Sequence, residues 1–195
     1  LPRAHKAAIK HGVRIVPGAL LTVADGPGAA LLARDMGGWS NLTRLITSSR
    51  SETRKGWGSL PFPTLLDHAG GLEIILMGNW SLERTRDVRG AFGRHASIAL
   101  TRRLDGHDAS RWDRLAVLSA ASQVPLLATA DAVMHTTSRK PLHDVLTCIR
   151  RKCTIEQAGN TLSANAVRSL HGPDTMARMF SSAPSALQRS REVAD

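Results

Sequence analysis

The sequence predicts an α/β fold in which parallel strands carry covering helices, layered or closed toward a barrel. Three observations predict it. Short β-type apolar runs alternate with amphipathic helical runs as far as Ser138. One of them, Leu72 to Met77, is apolar at almost every position, the pattern of a strand buried on both faces of a parallel sheet. From Ser138 onward the pattern is helical only.

The elements follow in order. Ala4 to His11 reads as a helix end closed by Gly12. Val13 to Val16 and Ala19 to Val23 read as strand, broken at Pro17-Gly18. After the turn Asp25-Gly26-Pro27-Gly28, Ala29 to Ala33 is a second strand. Leu42, Leu45 and Ile46 keep helical spacing. Ser48 to Gly58 is polar, basic and without apolar period, and is expected to be a mobile loop. Phe62 to Ala69 is a short helix stopped by Gly70-Gly71, and Leu72 to Met77 follows as strand. Ser81 caps a helix through Phe92, with Glu83 and Arg84 on its exposed side. His95 to Arg102 is strand, Asp108 caps a helix to Ser122, and Val124 to Ala128 is strand. Leu142, Val145, Leu146 and Ile149 then form one helical stripe. Ile155 to Ala158, Asp174 to Phe180 and Ser185 to Val193 are short helices.

Composition narrows the function classes. The chain has 195 residues, 42% hydrophobic, with 4% aromatic and no Tyr. Its core must be aliphatic, and a binder that stacks bases on aromatic platforms is disfavoured. Lys and Arg outnumber Asp and Glu by 26 to 16, giving a net charge of +10. Such charge attracts polyanions, nucleic acid first; a coding bias toward Arg and Ala is the plainer source. Cys148 and Cys153 have no zinc spacing near them and read as free thiols in a reducing, cytoplasmic compartment. No run of 18 apolar residues exists, so no membrane span is expected. A chain that opens in mid-helix is expected to be a piece of something longer.

Motifs exclude more than they find. Gly26-Pro27-Gly28 begins like a dinucleotide fingerprint, but Leu31 stands at the third Gly and a strand follows where a helix is needed. No two Asp or Glu stand at i, i+2, as a two-metal nucleotidyl transferase would need, so polymerase chemistry is not expected in this chain. No G-x-S-x-G, H-x-H or C-x-x-C occurs. Asp131 and His135 follow the strand Val124 to Ala128, at the carboxyl end where ligands and metals sit in α/β folds. A loop Asp that caps a turn explains Asp131 equally. Arg150-Arg151-Lys152 ends the Leu142 helix; it complements the helix dipole, or contacts a DNA phosphate or a neighbouring domain. Arg54-Lys55 and Arg102-Arg103 read as solvated surface.

Ala128-Thr-Ala-Asp-Ala-Val-Met-His135, Arg139-Lys-Pro-Leu-His-Asp-Val-Leu-Thr-Cys-Ile-Arg150, Thr154-Ile-Glu-Gln-Ala-Gly159 and Leu162-Ser-Ala-Asn165-Ala166 carry a resemblance. Together they resemble the end of the PHP (polymerase and histidinol phosphatase) domain in bacterial C-family DNA polymerases of the polymerase III alpha-subunit type. The damage-associated, error-prone branch is the closer match. Gly12 to Leu20, Asn41 to Ile46 and Leu100 to Arg103 agree with it, so the resemblance covers nearly the whole chain. It implies an incomplete PHP-type distorted barrel of parallel strands with outer helices, then a few C-terminal helices. Residues 1–137 would be a partial PHP domain, and 138–195 its helical end and the connection toward the polymerase palm.

The family's PHP metal cluster draws on an H-x-H of the first strand, an acid after a glycine, and a D-x-H on the last strand. The first is missing here, Ala19 follows Gly18, and Val133 takes the His position. Asp131, with His135 two residues beyond Val133, is a remnant. The resemblance therefore implies a non-catalytic piece of an error-prone DNA-directed DNA polymerase of DNA replication and repair. No cofactor is implied for this chain; Mg²⁺ belongs to the polymerase palm. DNA and the other polymerase domains are the implied partners. A PHP-type metal-dependent phosphoesterase and a non-catalytic nucleic-acid-binding module are the competing readings. Missing N-terminal strands imply an open apolar edge and poor folding alone.

Overall fold

The computed structural model describes residues 2–51 and 58–195. It divides the chain into two compact units. The first runs up to Ala99, with Leu118–Pro125 and Val193–Asp195; the second is Leu100–Val117 with Leu126–Glu192. The α/β class holds, and the strand order is β1-β2-β3-β4-β5.

The first unit begins with α1, Pro2–His11, which ends at Gly12 in the left-handed conformation (φ +63°). Residues 13–17 are coil, not the expected strand. Val13 and Val16 are 63% and 39% exposed, and a β-type run needs a neighbouring ladder and burial before it pairs. Strands β1, Gly18–Thr22, and β2, Gly28–Ala33, then pair antiparallel. Helix α2, Met36–Ser51, buries Gly38, Leu42, Leu45 and Ser49 on one stripe and packs on both strands. The loop expected over Ser48 to Gly58 is thus helix as far as Ser51, while residues 52–57, including Arg54-Lys55, lie outside the described residues.

Helix α3, Phe62–Asp67, opens with proline in its first turn, where the missing N–H costs nothing. Strand β3, Leu72–Leu76, is buried at all but one position and pairs antiparallel with β2, Ala33 opposite Leu72. Parallel strands were expected through this region. The five residues from Val23 to Pro27 are too few for a crossover, so β1 and β2 must form a hairpin. The β2–β3 direction is set by Gly71: its carbonyl accepts from Arg34 N–H at 3.0 Å, so β3 begins where β2 ends. This contact also requires glycine in α2, since a Cβ on Gly38 would stand 1.9 Å from the Gly71 oxygen.

Ser81 accepts from Arg84 N–H and caps α4, Leu82–Phe92. Arg84 is not simply surface; it donates to the carbonyls of Ala24 and Asp25 and lies 5.0 Å over the Phe62 ring. A 3-10 turn at Gly93–His95 leads into β4, Ala96–Thr101, buried throughout and parallel to β3. Here the expected parallel pairing is met. His95 Nδ1 lies within hydrogen-bond distance, 2.9 Å, of Oε2 of the buried Glu73, a contact the sequence pattern does not announce.

β4 runs on into the second unit. Helix α5, Asp108–Ser122, follows, then β5, Leu126–Thr129, two residues later than the expected start. Helix α6 is Lys140–Arg151, with α7, Ile155–Ala158, capped by a Thr154/Gln157 capping box. Helices α8, Pro173–Met179, and α9, Pro184–Ala194, complete the chain close to their expected places. The core of the second unit centres on Phe180, fully buried and stacked on Trp112 at 5.7 Å. The Trp112 indole N–H donates to Thr101 O at 2.8 Å, which satisfies its one donor.

Candidate functional site

Charged residues of the second unit gather at the carboxyl ends of β4 and β5. At the end of β5, Asp131 N–H donates to Thr129 Oγ at 3.1 Å and the residue adopts φ +47°. Asp tolerates this left-handed conformation better than most side chains. Its carboxylate meets Arg168, whose Nη lies 2.7 Å from Asp131 Oδ2 while its Nε donates to the Asp131 carbonyl at 3.0 Å. One guanidinium thus holds both the side chain and the backbone of Asp131. Arg103, just past β4, brings a second guanidinium to 3.8 Å from the same Oδ2.

Both arginines are positioned by backbone. Val133 N–H donates to Arg168 O at 2.9 Å and Leu170 N–H to Met134 O at 3.2 Å, around a parallel bridge of Met134 with Ser169. On the other side, Asp108 accepts from the N–H groups of Arg103 and Leu104, at 2.9 and 2.8 Å. Asp108 therefore ties down the β4–α5 loop, beyond its expected role at the helix start. Asn165 donates to the carbonyls of the same two residues, at 2.8 and 3.0 Å. Arg111 bridges Asp108 and Asp105. The His107 N–H bonded to Asp105, together with Arg111, holds the Asp105 carboxyl below the ordinary range, against a smaller opposing pull from burial. A cavity of about 670 Å³ lies among these groups, lined by Arg103, Asp105, His107, Asn165, Val167 and Arg168 among others.

The sequence-predicted residues are distributed unevenly over this geometry. Asp131 is in it. His135 is exposed, and no bond joins it to Asp131 among the described residues. No group of three or more His, Cys, Asp or Glu forms a metal-binding cluster there either. The donor set around Asp131 fits a guanidinium and not a metal ion: the oxygen a cation would take already faces Arg168, and Arg103 adds a like charge. Arg150, Arg151 and Lys152 are exposed at the end of α6 and make no ion pair among the described residues. The stripe Leu142, Val145, Leu146 and Ile149 is exposed too, from 40% to 67%; in α6 only Cys148 is buried. Arg103, Arg168, Asp108 and Asn165 were not singled out from sequence as site residues. Only the place of Arg103, at a strand's carboxyl end like Asp131, offered a signal.

No protein-family model matches the chain. Similarity to whole proteins is extensive. Error-prone DNA polymerase 1 of Agrobacterium fabrum is 34% identical over 198 residues, covering 100% of this chain. The error-prone DNA polymerases of Caulobacter vibrioides and Anaeromyxobacter dehalogenans are 34% and 36% identical, each over 99% of it. The chain is homologous to the bacterial error-prone DNA polymerases. It spans 18% of the length of each of these three relatives. Among its described residues no helix is long and apolar enough to cross a membrane.

Proposed function

We propose that this chain is the PHP-domain portion of an error-prone DNA polymerase, acting as scaffold in replication and damage-tolerant synthesis without catalysis of its own. In this reading residues 1–137 are the partial PHP domain and 138–195 lead toward the palm. DNA, the remaining polymerase domains and a cytoplasmic setting follow from the same reading, and Mg²⁺ would serve the palm. Similarity along the whole chain supports the parentage. The observation that carries the non-catalytic part is the Arg168–Asp131–Arg103 clamp. In this reading it sets two guanidinium groups against the one carboxylate that the resemblance matches to a PHP metal ligand, where a metal cation would otherwise bind.

A metal-dependent phosphoesterase would need that carboxylate free and several more donors around it. The test is metal analysis of the purified chain together with primer extension. No stoichiometric Zn²⁺ or Mn²⁺ and no extension are expected. One bound ion per chain, or extension that persists through repurification, would overturn the reading.

A further inference from the structure

Helix α6 ends in a Schellman motif. Lys152 adopts the left-handed conformation (φ 55°, ψ 44°) and its N–H donates to Ile149 O at 3.2 Å; Cys153 N–H donates back to Cys148 O at 3.1 Å. In this motif the side chains of the first and last of these residues come together, normally as a hydrophobic contact. Here both are cysteines. The backbone bond between them holds their Cα atoms within roughly the 4.4–6.8 Å over which disulfides close. The Cys148 thiol is buried against the half-exposed Cys153. Burial, the Cys153 thiol and the carboxylates of Asp144 and Glu156 push the Cys148 thiol up. The residues between the two sulfurs are Ile149 and the basic triplet Arg150-Arg151-Lys152.

We propose that Cys148 and Cys153 are a reversible dithiol–disulfide pair that fastens the C-terminal turn of α6, with small-molecule disulfides as oxidant. The accessible Cys153, as thiolate, attacks one sulfur of the oxidant. An S–S bond forms to Cys153, the oxidant's own S–S bond breaks, and one thiolate leaves and takes up a proton. Cys148 then loses its proton and attacks the Cys153 sulfur, closing the internal disulfide and expelling the second thiol. The chain loses two protons and two electrons, and the oxidant gains both and leaves as two thiols. The neighbouring basic triplet favours an anionic oxidant such as glutathione disulfide. Closure fixes the left-handed Lys152 turn, and with it the directions in which Arg150 and Arg151 leave the helix.

The experiment equilibrates the full chain with glutathione redox buffers, quenches with acid, and reads the species by mass and peptide mapping. Both cysteines of the chain take part, so the oxidised form should be monomeric, lighter by two hydrogens and without free thiols. Because the motif pre-positions the sulfurs, the closing constant should be at least ~10-fold larger in buffer than in guanidinium. Lys152→Gly, which accepts the left-handed turn, should keep that advantage, whereas Lys152→Pro, whose φ is fixed near −65°, should lose it. Only glutathione adducts or intermolecular dimers in buffer, equal constants in buffer and denaturant, or a Lys152→Pro chain that closes like the wild type would each overturn the proposal.

Discussion

Asp131 is held in a backbone conformation that costs an L-residue about 1–2 kcal/mol, and the interactions that offset this cost are unequal. Arg168 makes a close ion pair and a backbone hydrogen bond with both partners largely shielded from solvent, at 26% and 19% side-chain exposure. Hydrogen bonds to a charged group in such a setting contribute about 1.5–3 kcal/mol. Arg103 stands farther away with 45% of its side chain exposed, where ion pairs are worth roughly 0–1 kcal/mol. Arg168→Met should therefore open the Met134–Ser169 bridge locally. Hydrogen exchange at the Val133 and Leu170 amides should quicken by roughly 10-fold or more, about 1.4 kcal/mol per decade, whereas Arg103→Met should change it by only a few-fold. Equal effects of the two substitutions would mean that the clamp does not hold this loop.

At the scale of elements, α6 is the unusual one. Its apolar stripe faces outward, its buried residue is a cysteine, and its last turn ends in three exposed cations. Cations at a helix C-terminus gain little from the helix dipole once exposed to salt, so the dipole alone is a weak reason for a cluster of three. If the triplet contacts DNA phosphates, replacing Arg150, Arg151 and Lys152 with Gln should lower the log–log salt slope of duplex binding by up to about 3. Titration against a labelled duplex at several salt concentrations reads this directly, and an unchanged slope would leave the triplet as solvated surface. Most strands and helices of this chain were legible because the apolar period, the Ser81 cap and the glycine stops are local signals. The antiparallel course of β1, β2 and β3 was not: it follows from a five-residue turn and from the meeting of Arg34 and Gly38 with Gly71, far along the chain from both. The same holds for the candidate site. Asp131 was visible at a strand end, but its partner Arg168 lies 37 residues on, and nothing local marks a pairing across that separation. The α6 stripe was legible as a stripe, yet periodicity shows that a face is apolar and not what covers it.

At the scale of the whole molecule, two opposed tendencies act on a chain of net charge +10. Edge strand β1 exposes Leu20 at 66%, and Ile9, Met36, Leu146, Ile149 and Leu170 are exposed by 53–79%. Exposed apolar side chains, one of them on an edge strand, favour association, while like charge on every copy opposes it. Salt tips the balance, since the screening length falls from about 30 Å at 0.01 M to about 3 Å at 1 M, while apolar attraction is not screened. The isolated chain should therefore be most nearly monomeric at low salt and associate as salt rises, with increasing binding of a hydrophobic dye. Association with DNA should run the opposite way, weakening over the same range as phosphate contacts lose their counterion-release advantage. Sedimentation and dye fluorescence across a salt series test both directions on one sample. A chain that stays monomeric and dye-free at high salt would mean that these apolar side chains are covered in solution. A DNA affinity that does not fall with salt would mean that the positive charge is not what binds.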